Sequence, residues 1–357
     1  LEAVKPGLLR YTAFPFCGEL NTAELGVSRY GSNNEFGQDL VIDDQHVKGV
    51  IPQRQAISHK GSYGKLMVIG GSANYTGAPM LAGMGAYAVG TGLVQVAVPE
   101  SIRLASPQSG LELTWLLLED AGGVISELAL ETIYEHISKA QCIVLGPGVG
   151  RETSTGKFVT RLLVNQDRSH QTRAGFHGMG VDESRKAVNG NLPPIVIDAD
   201  ALFHLSREKD WHKNINVDLV LTPHPGEMSL LTGLSVDEIQ NDRIEIARKY
   251  AKLWKMTLVL KGALTVIADA EGNVSVVPVA TASLAKAGTG DVLAGMIGGL
   301  VAQGVKTSLA AVAGAYLHAR AGMKAEEIIG CSESVLASDV VKAIPLVYRD
   351  IKNNDLP

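Results

Sequence analysis

Short, unbroken apolar runs recur along this chain, and most of them end in a turn of glycine, proline or aspartate. Leu66-Met67-Val68-Ile69 runs into Gly70-Gly71, Cys142-Ile143-Val144-Leu145 into Gly146-Pro147, and Ile195-Val196-Ile197 into Asp198. A strand with one wet face alternates apolar and polar residues. A run that is apolar at every position belongs to a strand covered on both faces. Strands are predicted on this basis over 66–69, 93–98, 142–145, 195–198, 219–221, 257–260, 264–268 and 274–278. Helical patterns lie between and after them, over 79–89, 126–138, 153–163, 235–254, 291–303, 308–324 and 338–344. Ser235 followed by Glu238 is a capping-box signature. Strands alternating with helices imply right-handed crossovers and an α/β fold with a mostly parallel sheet. The closely spaced strands between 257 and 278 imply an antiparallel edge.

The chain has 357 residues, 46% of them hydrophobic and 19% charged, which excludes wholesale disorder. Its net charge of −5 supplies no basic field for nucleic acid or an anionic membrane, so any anion must be held locally. The three cysteines, Cys17, Cys142 and Cys331, are far apart and form no CxxC pair. Neither a disulfide framework nor a cysteine zinc site is supported, and the expected compartment is a reducing cytoplasm. No charged residue occurs from Leu66 to Pro99, but Gly70, Gly71, Asn74, Gly77 and Pro79 interrupt any membrane-spanning run there. Residues 1–57 are polar and irregular and read as a linker or the tail of a preceding domain; a chain opening on Leu1 fits a piece of something longer. The polar stretch 165–194 breaks the rhythm and reads as a mobile insertion or a lid.

Six segments carry chemistry. Ala287-Gly288-Thr289-Gly290-Asp291 opens an apolar helical pattern. Two glycines permit a close turn, and the N–H groups and dipole of the helix start form an anion hole. Asp291 in that first turn can deprotonate a hydroxyl placed beside a phosphoryl acceptor. A glycine-rich helix start capped by Asp is the plain alternative. Gly146-Pro147-Gly148-Val149-Gly150 ends an apolar strand, where a ligand crevice would lie. It is neither a full GxGxxG nor a P-loop. In Thr222-Pro223-His224-Pro225-Gly226-Glu227 the following proline pushes His224 to extended backbone, so a metal pair with Glu227 on one helix face is disfavoured. This segment presents His224 to a polar ligand or simply starts the next helix. Lys261-Gly262-Ala263-Leu264-Thr265 fits a nucleotide-holding hairpin or a plain turn. Gly70 to Pro79 makes a strand-to-helix turn with proline early in the helix. Asp198-Ala199-Asp200 could orient a hydrated Mg²⁺ or cap the helix that follows. Five of the six follow predicted strands, and a parallel sheet would gather them along one edge.

Taken in order, these segments, with His59-Lys60-Gly61-Ser62-Tyr63-Gly64-Lys65 before them, resemble the ADP/ATP-dependent NAD(P)H-hydrate dehydratases, ribokinase-like enzymes of nicotinamide-nucleotide repair. The resemblance runs from about Ser58 to Leu346. It implies a three-layer α/β/α sandwich and nucleotide-dependent dehydration of hydrated NADH or NADPH, with Asp291 as the base. It further implies substrate contacts at Ala78, Gly150, His224 and Asp291. The nucleotide falls to Lys261, Gly262, Ala263, Leu264 and Thr265, with Gly288, Thr289 and Gly290 cradling the phosphoryl group. ADP or ATP as co-substrate, Mg²⁺ and a homotetramer are implied too; the metal ligands are not assigned. A ribokinase-like kinase of a thiazole or pyrimidine alcohol is the alternative. Lys5-Pro6-Gly7-Leu8-Leu9, Gly18-Glu19-Leu20 and Ala23-Glu24-Leu25-Gly26 look like the end of the epimerase part of bifunctional forms. That gives 1–57 as an epimerase tail and 58–357 as the dehydratase domain, with no epimerase activity expected. Two departures stand out: Ala287 follows Lys286 where the family commonly carries a glycine, and the stretch 165–194 is longer than the usual link.

Overall fold

A computed structural model describes residues 6–9, 13, 16–17, 39–105, 110–164 and 192–353. In chain order the elements begin with β1 (Leu40–Val41), α1 (Asp44–Lys48), β2 (Lys65–Ile69), α2 (Ala78–Ala88), β3 (Leu93–Pro99), β4 (Thr114–Leu118), α3 (Ala129–Ile137) and β5 (Cys142–Leu145). There follow α4 (Thr153–Leu163), β6 (Ile195–Ile197), α5 (Asp200–Ser206), β7 (Leu219–Leu221), α6 (Pro225–Thr232), α7 (Val236–Asn241) and α8 (Arg243–Trp254). The chain continues with β8 (Thr257–Leu260), β9 (Val266–Ala268), β10 (Val274–Val276), α9 (Thr289–Ala302), α10 (Thr307–Ile329) and α11 (Ala337–Asn353). The residues divide into two compact units, one of Leu1–Ile51, Val220–Thr289 and Lys306–Pro357, the other of Pro52–Leu219 and Gly290–Val305.

In the second of these units the strands run β6-β5-β2-β3-β4, every neighbour parallel. Every residue of β5 and β6 is buried, so both faces of this sheet are covered, as the unbroken apolar runs require. Helix α9 lies on α2 through small residues: a Cβ on Gly295 would stand 1.8 Å from the carbonyl oxygen of Ala82, and one on Gly85 2.6 Å from that of Val292. Backbones approach this closely only where side chains are absent. The other side of α9 meets the sheet, Gly298 lying against Val144 and Leu66. Edge strand β4 was not expected from the sequence. Leu- and Glu-rich text between 111 and 119 fits helix and strand alike, and pairing with β3 decides it.

In the other unit β7 and β8 are parallel, while β8-β9-β10 are antiparallel, as the short spacings predicted. β10 is not the edge, because β1 pairs with it in parallel. Residues 40–51, read from sequence as part of a leading tail, are thus built into this unit. Asp44 of α1 accepts from Tyr316 Oη (2.7 Å) and Arg320 (2.9 Å) on α10. The helix expected over 235–254 is two helices, broken at Asp242 with φ −145° and ψ 58°. The Ser235–Glu238 capping box forms as predicted. Within 165–194 only 192–194 lie among the described residues. No helix among the described residues is long and apolar enough to cross a membrane.

Candidate active site

In the unit that holds β7 and β8, the turns after those parallel strands meet. The Lys261 N–H donates to the carbonyl of Pro223 at 2.9 Å. His224 is extended, φ −78° and ψ 167°, as its following proline requires, and it caps α6. Its Nδ1 accepts from the Gly226 N–H (3.0 Å) and the Glu227 N–H (3.3 Å), and Glu227 Oε2 accepts from the His224 N–H (2.8 Å). One ring nitrogen is therefore committed to the helix start, although the side chain stays 56% exposed. The segment starts a helix, as one of its two sequence readings had it, and the His224 ring keeps an exposed edge. Glu227, 11% exposed, joins the two turns, with His224 Nε2 3.5 Å and Lys261 Nζ 3.6 Å from its carboxylate. Sequence alone gave Glu227 no part, and the Lys261 ammonium expected on the nucleotide is turned toward it.

The 261–265 turn is held from behind. Arg243, the first residue of α8, is buried and donates to the carbonyls of Leu260 and Lys261. Gly262, at φ +139°, leaves room for that guanidinium: a Cβ there would lie 3.2 Å from Nη1. Leu264 is buried at φ +56°, its N–H donating to Val279, and Thr265 closes the turn onto Gly262. A bulky residue in the left-handed region is a genuine outlier, and such strain concentrates at ligand-binding turns.

Gly288 enters α9 at φ +90°, whereas Ala287 avoids the left-handed region, so the loss of a glycine there is accommodated. The Thr289 hydroxyl turns back onto the carbonyls of Leu284 (2.8 Å) and Lys286 (2.9 Å). Asp291 lies in the first turn of α9, where the helix dipole favours a carboxylate.

In the unit built on β2 to β6, the turns at the carboxyl ends of β2, β5 and β6 come together. Gly71 N–H donates to Pro147 (2.8 Å), and Gly146 N–H to Ile69 (3.1 Å). A Cβ on Gly148 would stand 3.0 Å from that of Ala78, and one on Gly146 would lie 1.9 Å from the Asp198 carbonyl. Gly150 accepts from His204 Nε2 at 2.9 Å. Asp291 belongs to the same unit through α9, which packs on the helix that Ala78 opens. The Asp198–Asp200 pair does not face outward together. Asp198 is buried, and Asp200 binds Arg151 Nε at 2.7 Å in the first turn of α5. Among the described residues no group of three or more His, Cys, Asp or Glu side chains is arranged to hold a metal.

The family model for NAD(P)H-hydrate dehydratase matches residues 66–172 and 173–346. A bifunctional NAD(P)H-hydrate repair enzyme from Moorella thermoacetica is 35% identical over 98% of this chain and 61% of its own length. The chain thus spans about three fifths of the length of that relative. An ADP-dependent (S)-NAD(P)H-hydrate dehydratase from Neisseria meningitidis serogroup B is 33% identical over 82% of this chain and 88% of that protein. The crystal structure of the ADP/ATP-dependent NAD(P)H-hydrate dehydratase from Bacillus subtilis, co-crystallised with ATP and Mg²⁺, is similar with a TM-score of 0.68. It is 27% identical, with 87% of this chain and 98% of that one covered. A ribokinase-like superfamily protein from Enterococcus faecalis, 21% identical over 90% of this chain and 99% of its own, shares the fold with a TM-score of 0.69. With the α/β fold, the ordered turns and these matches agreeing, the chain belongs to the NAD(P)H-hydrate dehydratase family.

Proposed function

We propose that this chain dehydrates hydrated NADH or NADPH at the expense of an adenine nucleotide, ADP or ATP. The observation that carries the reading is the Gly288-Thr289-Gly290-Asp291 step at the start of α9, with its carboxylate in the first turn. Hydroxide is a poor leaving group from the hydrated nicotinamide ring, and phosphorylation makes it a good one. Asp291 takes the proton from the ring hydroxyl as its oxygen attacks the terminal phosphoryl group of the nucleotide. Gly288, Thr289 and Gly290 cradle that group, their N–H dipoles offsetting the charge that develops on it. The ring nitrogen's lone pair then expels phosphate, the C–O bond breaks, and loss of a proton from the adjacent carbon restores the double bond. AMP is left from ADP, or ADP from ATP.

Lys261, Gly262, Ala263, Leu264 and Thr265 hold the nucleotide, and the backing of that turn by Arg243 supports this. Ala78, Gly150 and His224 contact the hydrate; the exposed edge of the His224 ring supports its part. Mg²⁺ belongs with the nucleotide phosphates, since a hard cation kept by phosphates and water needs few protein ligands. It supplies charge neutralisation there. The three cysteines are free thiols, which supports a reducing, cytoplasmic setting. A homotetramer is part of the same family-based reading.

The test is incubation with hydrated NADPH and each nucleotide. Recovery of the near-ultraviolet absorbance of the reduced nicotinamide, with one phosphate released per turnover, is expected. Asp291→Asn keeps the shape and removes the base, and turnover should fall about 10²–10⁴-fold. A stable phosphate ester with no regained absorbance would instead establish the kinase alternative.

A further inference from the structure

The turn that follows β5 has its acceptors held and its donors left over. The Pro147 carbonyl accepts from the Gly71 N–H (2.8 Å), the Val149 carbonyl from the Thr155 hydroxyl (3.4 Å) and the Gly150 carbonyl from His204 Nε2 (2.9 Å). A trans peptide points its N–H away from its carbonyl. Each carbonyl held by the protein therefore fixes an N–H on the opposite edge of its peptide, those of Gly148, Gly150 and Arg151. None of these three N–H groups has a hydrogen-bond partner among the described residues, although Gly148 and Gly150 are buried. Buried N–H groups are rarely left bare. Donors fixed in this way suit the oxygen atoms of a bound ligand, and successive N–H groups in a turn that enters the left-handed region form such concavities. Gly148 and Gly150 enter it at φ +67° and +83°.

The hold on Gly150 comes from another element. His204, 5% exposed, stands on α5 after β6 and reaches back to the turn after β5. Its bond has a normal length, whereas the Thr155 contact is long for a hydroxyl donor. Burial pushes the ring toward its neutral form. A carbonyl only accepts, so the one ring proton sits on Nε2 and Nδ1 carries none. Nδ1 faces Gly156 of α4, where a Cβ would stand 2.9 Å from it. That glycine makes the room in which the ring reaches Gly150. All these residues belong to one compact unit.

We propose that His204 is a positioning residue for the hydrate site: its Nε2–H, by holding the Gly150 carbonyl, sets the end of the turn whose free N–H groups meet the hydrated dinucleotide. It acts through Gly150 rather than by touching the substrate. The proposal rests on reading Gly150 as a contact of the hydrate.

Four variants test it. Glutamine carries an amide N–H near the place of Nε2, asparagine near that of Nδ1, and leucine carries none. G156A keeps the histidine but drives a Cβ at its ring, and a ring swings aside more easily than a helix moves. Alanine also favours α4 itself. The KM for hydrated NADPH, the KM for ADP and the melting temperature are measured for each. H204L, H204N and G156A should raise the hydrate KM about three- to tenfold, the worth of a neutral hydrogen bond. The KM for ADP should stay put, since that nucleotide is assigned to the 261–265 turn. H204Q should keep the hydrate KM near that of the wild type. A merely structural histidine would lower the melting temperature and either leave the hydrate KM alone or move both KM values together. Either result for H204L overturns the proposal, and so does an H204Q variant as impaired as H204L. If H204L fails to fold, the contrast between H204Q and H204N decides in the same way. If the wild type does not bind hydrated NADPH, the reading of the substrate fails, and amide hydrogen exchange over 146–151 tests His204 instead. Exchange should quicken in H204L and slow again in H204Q; unchanged exchange in H204L would overturn the role.

Discussion

Nη2 of Arg243 donates to the main-chain oxygen of Lys261 at 3.2 Å, and the same nitrogen reaches Leu260 at 2.7 Å. A buried cation is thereby spent on the two carbonyls where β8 becomes the 261–265 turn, and its other amino group binds Gln240 at 2.7 Å. Arg243→Lys keeps the charge but loses the planar fork, so it cannot keep all three contacts. Each lost bond from a charged donor costs about 1.5–3 kcal/mol. ADP affinity should fall roughly tenfold or more, with the melting temperature lowered as well. Calorimetric titration of this variant with ADP is the check; an unchanged affinity would show that the turn holds its shape without Arg243.

His224 has two jobs that different substitutions separate. Asparagine is a strong N-cap, so His224→Asn should keep α6 in place, whereas His224→Ala loses the cap at a cost of about 1 kcal/mol. If the exposed ring edge contacts the hydrate, both variants raise the KM for hydrated NADPH by a few-fold to about a hundredfold. Only the alanine variant should also melt at lower temperature. Measured together, the KM for the hydrate, the KM for ADP and the melting temperature of the pair tell capping from contact. A hydrate KM unchanged in His224→Asn removes the ring from the substrate site.

Gly146 sits at φ +125° between β5 and the turn that meets β6. Alanine there would be strained by its backbone and would drive a Cβ into the Asp198 carbonyl. Backbone cannot retreat as a flexible side chain can, so Gly146→Ala should destabilise the protein by about 2–4 kcal/mol. Urea unfolding followed by circular dichroism measures it. Gly304→Ala is the control, since it shares a positive φ, +92°, but meets nothing within 4 Å. It should cost clearly less.

Burial holds the His318 ring down at about 4, with the charge of Lys261 adding to the effect and the hydrogen bond to Thr289 opposing it. An unfolded histidine titrates near 6.5. Between these values the unfolded chain binds more protons than the folded one, so acid favours unfolding. The stabilisation is complete above pH 6.5 and drains away as pH falls toward 4, by about 3 kcal/mol in all. Burial lowers His204 in the same direction, adding to the loss. His318→Asn removes one of these titrations. The fall of its melting temperature from pH 7 to pH 4.5 should be visibly shallower than that of the wild type, and parallel curves would contradict the assignment.

The sequence determined what is local. Apolar runs such as 142–145 carry the mark of strands covered on both faces, and Ser235 with Glu238 carries the signature of a helix start, because periodicity and capping act over a few residues. The order of the turns was equally legible, and with it the family. Tertiary structure decided the rest. Pairing with β3 turned 114–118 into a strand, and pairing with β10 drew 40–41 out of an apparent tail. The helix expected over 235–254 breaks at Asp242, where Arg243 turns inward toward carbonyls contributed by a strand many residues away. Nothing around Arg243, Glu227 or His318 in the sequence marks them as buried, since Arg243 and His318 read as ordinary polar positions on a helix and Glu227 as the end of a turn. Burial is a property of what packs against a residue, and those partners are brought there only by the completed fold.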